Sequence, residues 1–161
     1  MKRALIILLA VTLAILTACS GTEEPQQEQA AEQKTESAEE STEMKNITMT
    51  INGETADVAW EDNESVRALA ELASEAPVTI DASLYGGFEQ VGAIGAALPS
   101  NDVNIKTKPG DIVLYSGSNM VVFFGSNSWA YTMLGHIENK SADELAALLG
   151  ADKVTITLTA E

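Results

Sequence analysis

The last strand-like stretch of the chain sets the terms for the rest: Val154, Ile156 and Leu158 alternate with Thr155, Thr157 and Thr159. A two-residue period sends successive side chains to opposite faces, so such a segment belongs in a sheet with one apolar and one polar face. The same period returns in Ile47, Met49 and Ile51 against Thr48 and Thr50, and in Val78, Ile80, Ala82 and Leu84 against Thr79, Asp81 and Ser83. Asn52-Gly53 supplies the positive-φ pair of a two-residue hairpin before a strand from Ala56 to Trp60. Ile112 to Ser116, a Gly117-Ser118-Asn119 turn and Met120 to Phe124 read as a second hairpin, and Trp129 to about Ile137 as a further strand.

Only two stretches carry a helical period. Asn63 can cap a helix whose first turn holds Glu64 and whose face carries Val66, Leu69, Ala70 and Ala73, with Pro77 as its stop. Ser141-Ala142-Asp143-Glu144 is a capping box ahead of Leu145, Leu148 and Leu149, and Gly150 suits a left-handed helix end. Between Glu89 and Asp111 the spacing of Gly92, Gly95, Pro99, Asn101, Pro109 and Gly110 is too irregular to assign an element, and the segment is long enough to be functional. Many short strands with two modest helices predict a mainly β fold: an antiparallel sheet closed into a barrel, with the helices over its open ends. The order is not a βαβ repeat and no phosphate loop accompanies it, which gives no support to Rossmann or P-loop nucleotide binding.

Charge and composition remove further classes. The 161 residues carry a net charge of −15, with nine Lys and Arg, one Cys and one His. Nucleic acid and anionic lipid surfaces both need clustered cations, which so few basic residues do not supply. One cysteine forbids an internal disulfide and a multi-cysteine zinc site, and a Ser/His/Asp triad would depend on His136 without any G-x-S-x-G elbow. The most informative pattern is aromatic: of eight such residues only Trp60 lies outside the interval from Tyr85 to Tyr131. Phe123 and Phe124 are consecutive strand residues and cannot both fill one interior, so an aromatic-lined depression is expected near them. Glu89, Asp102 and Asp111 are candidate carboxylates, and Asn127, Ser128 and Thr132 candidate hydrogen-bonding groups beside Trp129 and Tyr131.

Three runs, Tyr85-Gly86-Gly87-Phe88-Glu89, Gly110 to Gly117 and Gly125 to Gly135, resemble those of bacterial cyclophilin-like domains. Asn127-Ser128-Trp129-x-Tyr131-Thr132-x-Leu134-Gly135 is the most specific part of the likeness, which spans Lys45 to Glu161. The resemblance implies a closed antiparallel eight-stranded β-barrel with a helix at each end. The fold alone does not establish prolyl isomerase activity: cyclophilins use an arginine on the strand after the first helix, and Val78 to Leu84 contains none. The only arginine of the domain is Arg67, on the first helix. The resulting expectation is a non-enzymatic binding module for a peptide or small ligand, without cofactor or metal. Its ligand residues would be Phe88, Glu89, Tyr115, Phe123, Asn127, Trp129 and Tyr131. A peptidyl-prolyl isomerase acting on exported proteins is the alternative, and a structural envelope protein without a ligand is a third reading.

The chain before Lys45 is of different composition. Lys2 and Arg3 precede an apolar stretch from Ala4 to Ala18, the layout of a secretory signal. Fifteen helical residues span roughly 22 Å, short of the ~30 Å that a membrane helix must cross. Leu16-Thr17-Ala18-Cys19 resembles the lipobox of bacterial lipoproteins, which implies cleavage after residue 18 and a lipid on Cys19. Residues 19–44 then form a spacer with eight glutamates, four glutamines and no aromatic residue, too poor in apolar surface to fold. The expected location is the cell membrane or envelope, lipid-anchored and facing outside the cytoplasm. Metabolic labelling with a fatty acid tests this: label is expected on the wild type and absent from Cys19→Ala, and undiminished label in the variant would refute the anchor.

Overall fold

The computed structural model describes residues 45–161; the signal-like segment, Cys19 and the acidic stretch through Met44 lie outside the described residues. The elements in chain order are β1 (Ile47–Ile51), β2 (Glu54–Ala56), β3 (Val58–Trp60), α1 (Glu64–Glu75), β4 (Val78–Tyr85), β5 (Glu89–Ala93), β6 (Val103–Lys106), β7 (Asp111–Tyr115), β8 (Asn119–Phe123), β9 (Ser128–Ile137), α2 (Ala142–Leu149) and β10 (Lys153–Ala160). The alternating runs form strands as their period requires. Asn52 and Gly53, at φ 51 and 83, make the positive-φ turn between β1 and β2.

The described residues form ten strands where eight were expected, and the ladder order explains the difference. The main path runs β2-β1-β10-β4-β5-β8-β7-β9-β3, antiparallel throughout, with β6 attached to β9 off this path. Its two ends, β2 and β3, are halves of one extended stretch separated only by Asp57. The first half pairs with β1 through Met49↔Ala56 and the second with β9 through Val58↔Ile137. At the changeover the Asp57 carbonyl accepts from the Glu138 N–H at 2.9 Å, and its own N–H donates to Asn139 Oδ1 at 3.2 Å. The strands thus occupy eight positions around a barrel, and β6 is an addition outside the ring.

One apolar cluster draws Met49, Ile51, Ile80, Ile112, Leu114, Met120, Val122, Leu134 and Ile156 from strands all around the ring, so it is the barrel interior. It is aliphatic: the buried residues of this cluster include no aromatic ring, and only Trp60 and Phe124 lean on it from partly buried positions. Val66, Leu69, Ala70 and Ala73 of α1, and Leu145 and Leu149 of α2, join the same cluster. A helix reaches the inside of a closed sheet only through an open end. Trp60, before α1, pairs with Gly135, and Ile137, before α2, pairs with Val58, so the helices enter from opposite ends.

Local chemistry at the helix ends follows the sequence with one exception. The Val66 N–H donates to Asn63 Oδ1 at 3.0 Å, and Ser141 and Glu144 form the reciprocal capping box. Gly150, by contrast, is right-handed at φ −77, not left-handed. Its glycine is explained by space: a Cβ there would lie 2.5 Å from the Ala146 carbonyl oxygen. The segment from Glu89 to Asp111, which the residue spacing alone does not assign, holds β5 and β6. Its inward face carries Gln90 and Gly92 in place of aliphatic residues, which hides the two-residue period. A Cβ on Gly92 would sit 2.4 Å from Ile80 Cγ2, and Gln90 donates to the Leu149 and Ala151 carbonyls at 2.6 and 2.7 Å, tying β5 to the end of α2.

The interior packing predicts unequal responses within β10. Ile156→Ala should cost about 2–5 kcal/mol in urea denaturation through the lost contacts and the cavity left behind, whereas Thr159→Ala, on the exposed side, should stay within about 0.5 kcal/mol.

Candidate functional site

The strands that line the barrel also present a second set of side chains outward. Alternation divides β7 into inward Ile112 and Leu114 and outward Val113, and β8 into inward Met120 and Val122 and outward Val121 and Phe123. Outside the ring Val113, Val121, Phe123 and Tyr131 are buried together, with Phe88, Val91, Ile105 and Met133 packed around them. This second cluster exists because β9 changes partners. Thr132 to Ile137 pair with β7 and β3, but Ser128 to Tyr131 pair with β6. The first half of β9 therefore leaves the ring and carries Trp129 and Tyr131 across the outer face.

Phe123 and Phe124 diverge as consecutive strand residues must. Phe123 is buried in the outer cluster and Phe124 leans on the interior one. Tyr131 packs edge-on against both Phe123 and Tyr115, with ring centroids 5.7 and 6.0 Å apart. Its hydroxyl accepts a hydrogen bond from Asn127 Nδ2 at 3.0 Å. Asn127 is itself held, its N–H donating to Thr107 Oγ1 at 2.9 Å and its Oδ1 accepting from the Ser128 N–H at 2.8 Å.

A pocket of about 390 Å³ opens on this outer cluster. Glu89, Val91, Val121 and Tyr131, all partly or fully buried, are its deeper lining. Tyr85, Tyr115 and Trp129 stand at its rim, 66, 39 and 59% exposed, and Asn127 completes the wall. Tyr85 and Glu89 are directly paired across a turn that Gly86 and Gly87 form at φ 62 and 78. Gly86 is required there twice over, because a Cβ would also meet the Phe88 ring at 2.4 Å.

Five of the seven residues expected at a ligand site, Glu89, Tyr115, Asn127, Trp129 and Tyr131, are thereby brought to one pocket. Phe88 and Phe123 are not on its wall; they support it from the cluster behind. Tyr85, Val91 and Val121 also line it and were not in that expected set. Tyr85 belonged to the aromatic interval, and Val121 is two residues from Phe123, hence on the same face. Val91 lies in the segment whose strand period was obscured. The other candidate groups are spoken for elsewhere: Asp102 accepts from Thr132 Oγ1 at 2.6 Å, and Asp111 holds His136 Nδ1 at 2.8 Å and the Lys108 N–H at 2.8 Å. Arg67 pairs with Asp62 and lines a separate cleft between α1 and the segment around Pro99.

Glu89 is the group out of place. The residue is only 4% exposed, and Oε2 is buried with no hydrogen-bond partner. Burial without a partner disfavours the carboxylate and pushes the Glu89 pKa from 4.5 up to about 7. Burial likewise raises the Tyr131 phenol, and the neighbouring Glu89 charge raises it further. Among the described residues no group of three or more His, Cys, Asp or Glu is placed to hold a metal ion, and no helix is long and apolar enough to cross a membrane.

The chain belongs to the cyclophilin-like family, whose model matches residues 49–160. A solution structure of a hypothetical protein from Archaeoglobus fulgidus is similar in fold, with a TM-score of 0.53 and 22% sequence identity over 77% of this chain and 99% of that one. No curated protein matches.

The raised Glu89 pKa links stability to pH. The folded state holds this proton more tightly than the unfolded state, so the contribution is present below about 4.5 and lost as pH rises through about 7. Thermal unfolding at pH 5 and pH 8 should therefore show Glu89→Gln losing less stability over that interval than the wild type, and being the more stable of the two at pH 8. An equal loss in both proteins would place the proton elsewhere.

Proposed function

We propose that this protein is a binding module for a peptide or small ligand, held at a membrane through Cys19, whose site is the aromatic pocket outside the barrel. One observation carries the proposal: three exposed aromatic side chains surround a pocket floored by a desolvated, unpartnered carboxyl group. Exposed rings cost solubility and an unpaired buried oxygen costs stability, so a chain that keeps both in one depression has a use for them. A mostly apolar concavity with a few convergent polar groups is the common form of a ligand site.

Three features favour binding over prolyl isomerisation. The pocket wall contains no arginine, β4 contains none, and Arg67 is engaged with Asp62 on another cleft. Isomerisation has a barrier of ~20 kcal/mol set by the double-bond character of the amide, and its catalysis requires donors aimed at the twisted peptide. The tether is supported by the Cys19 motif and the acidic stretch after it, which has the composition of an extended spacer.

A thermal-shift screen of small molecules and short peptides, repeated on Trp129→Ala, should yield ligands that raise the wild-type Tm and leave the variant unmoved. Hits that stabilise both proteins equally would remove the proposed site. In a protease-coupled assay on a proline peptide the rate should equal the uncatalysed one, and any acceleration that Trp129→Ala abolishes would favour the isomerase instead.

A further inference from the structure

The pocket combines two kinds of electron-rich surface and no basic side chain to balance them. Glu89 brings a carboxyl group whose Oε2 is buried and unpartnered. Tyr85, Tyr115 and Trp129 bring partly exposed aromatic rings, whose faces are the negative pole of a quadrupole. No lysine, arginine or histidine is among the lining residues. The wider field has the same sign, with sixteen acidic and six basic residues from Lys45 to Glu161.

We propose that the pocket takes a primary alkylammonium group, its N–H donors on the Glu89 carboxylate and its α-methylene, which shares the positive charge, against Tyr115 and Trp129. This rests on the pocket being a ligand site and goes further by assigning the charge of the occupant. The ammonium supplies the donor that the protein withholds from Glu89, and a cation over Tyr or Trp faces is attracted more strongly where water is displaced. A neutral alcohol of the same shape can donate one hydrogen bond to the carboxylate, but it brings no charge to neutralise it and none for the ring faces to attract.

The neighbours of Glu89 fix the direction of the pH response. From β4 it faces Tyr85, its direct partner; from β8 it faces Phe123, and that strand holds no ionisable group. From β7 and β9 come Tyr115 and Tyr131, with the Asp111–His136 pair farther along beyond Phe123. On β6, Ile105 joins the cluster, and alternation leaves Lys106 on the opposite, exposed side. No basic side chain among these is partnered with the Glu89 carboxylate. An arriving ammonium group therefore meets a carboxyl that is about half protonated near pH 7 and must displace its proton.

Isothermal titration of the full chain with n-pentylammonium, and with n-pentanol as the uncharged control, tests the assignment. At pH 8 the ammonium should bind at least ~10-fold more tightly than the alcohol, and its affinity should fall about tenfold from pH 8 to pH 6 as Glu89 takes up its proton. In Glu89→Gln the preference should shrink and the pH slope should disappear, which marks Glu89 as the titrating group. If that variant does not fold, Tyr115→Leu should still reduce the preference for the ammonium while keeping the pH slope. The tripeptide acetyl-Gly-Lys-Gly-amide, with norleucine in place of lysine as its control, distinguishes a lysine side chain from a free amine as the source. Equal binding of the charged and neutral probes, or affinity that rises as pH falls, overturns the cation. If neutral ligands nevertheless depend on Trp129, the pocket survives and only its charge preference is wrong. If no ligand of any kind depends on Trp129, both proposals fail.

Discussion

Closure of the sheet depends on a single residue changing partners. Up to Ala56 the chain belongs to β1, and from Asp57 it belongs to β9 and the residues after it. An open sheet of this length would leave two rows of unpaired backbone groups, which invite pairing with another chain. Here the exposed N–H and C=O of the break are taken by Asn139 and Glu138, so the seam is bonded across its weakest point. The closed ring then defines an inside and an outside, and every later assignment of a side chain to core or pocket follows from that division.

The outside is where this chain departs from a minimal barrel. Aliphatic residues fill the interior and the aromatic residues are mostly excluded from it. β9 is long enough to serve two sheets, and its first half spreads Trp129 and Tyr131 over the outward faces of β7 and β8. Glu89 and Gln90 show the same partition on adjacent residues. Glu89 points outward to the pocket, and Gln90 points inward to hold the end of α2. Gln90 Oε1, like Glu89 Oε2, is buried without a partner, but Gln90 donates both amide hydrogens to the end of α2 whereas Glu89 faces the pocket.

Most of this architecture is legible in the residues because the period of two is strong wherever a small polar residue alternates with an aliphatic one or Met. β1, β4 and β10 are of that kind, and both helix starts announce themselves through Asn63 and Ser141. β5 was not legible. Its inward positions hold Gln90 and Gly92, chosen for a hydrogen bond and for lack of space, so the apolar signal vanishes where packing demands are most specific. The division of one stretch into β2 and β3, and the added β6, are hidden for a related reason: pairing changes along a strand leave no mark on its composition. The aromatic interval located the pocket, and the one-residue parity of Phe123 and Phe124 anticipated a second apolar body. Which aromatics would be wall and which support was hidden, since that depends on β6 and the ladder register. Nothing in the local sequence marks Glu89 as unpartnered, because an absence of neighbours is a property of the whole fold.

Because the interior cluster and the outer cluster share strands but few side chains, the protein separates what keeps it folded from what it presents. Tyr85, Tyr115 and Trp129 are exposed, and none belongs to the interior. Their replacement alters the shape and polarity of the pocket with little effect on the aliphatic barrel behind it. Descendants of such a chain are free to explore new partners by drift at the rim, each trial leaving a body that still folds.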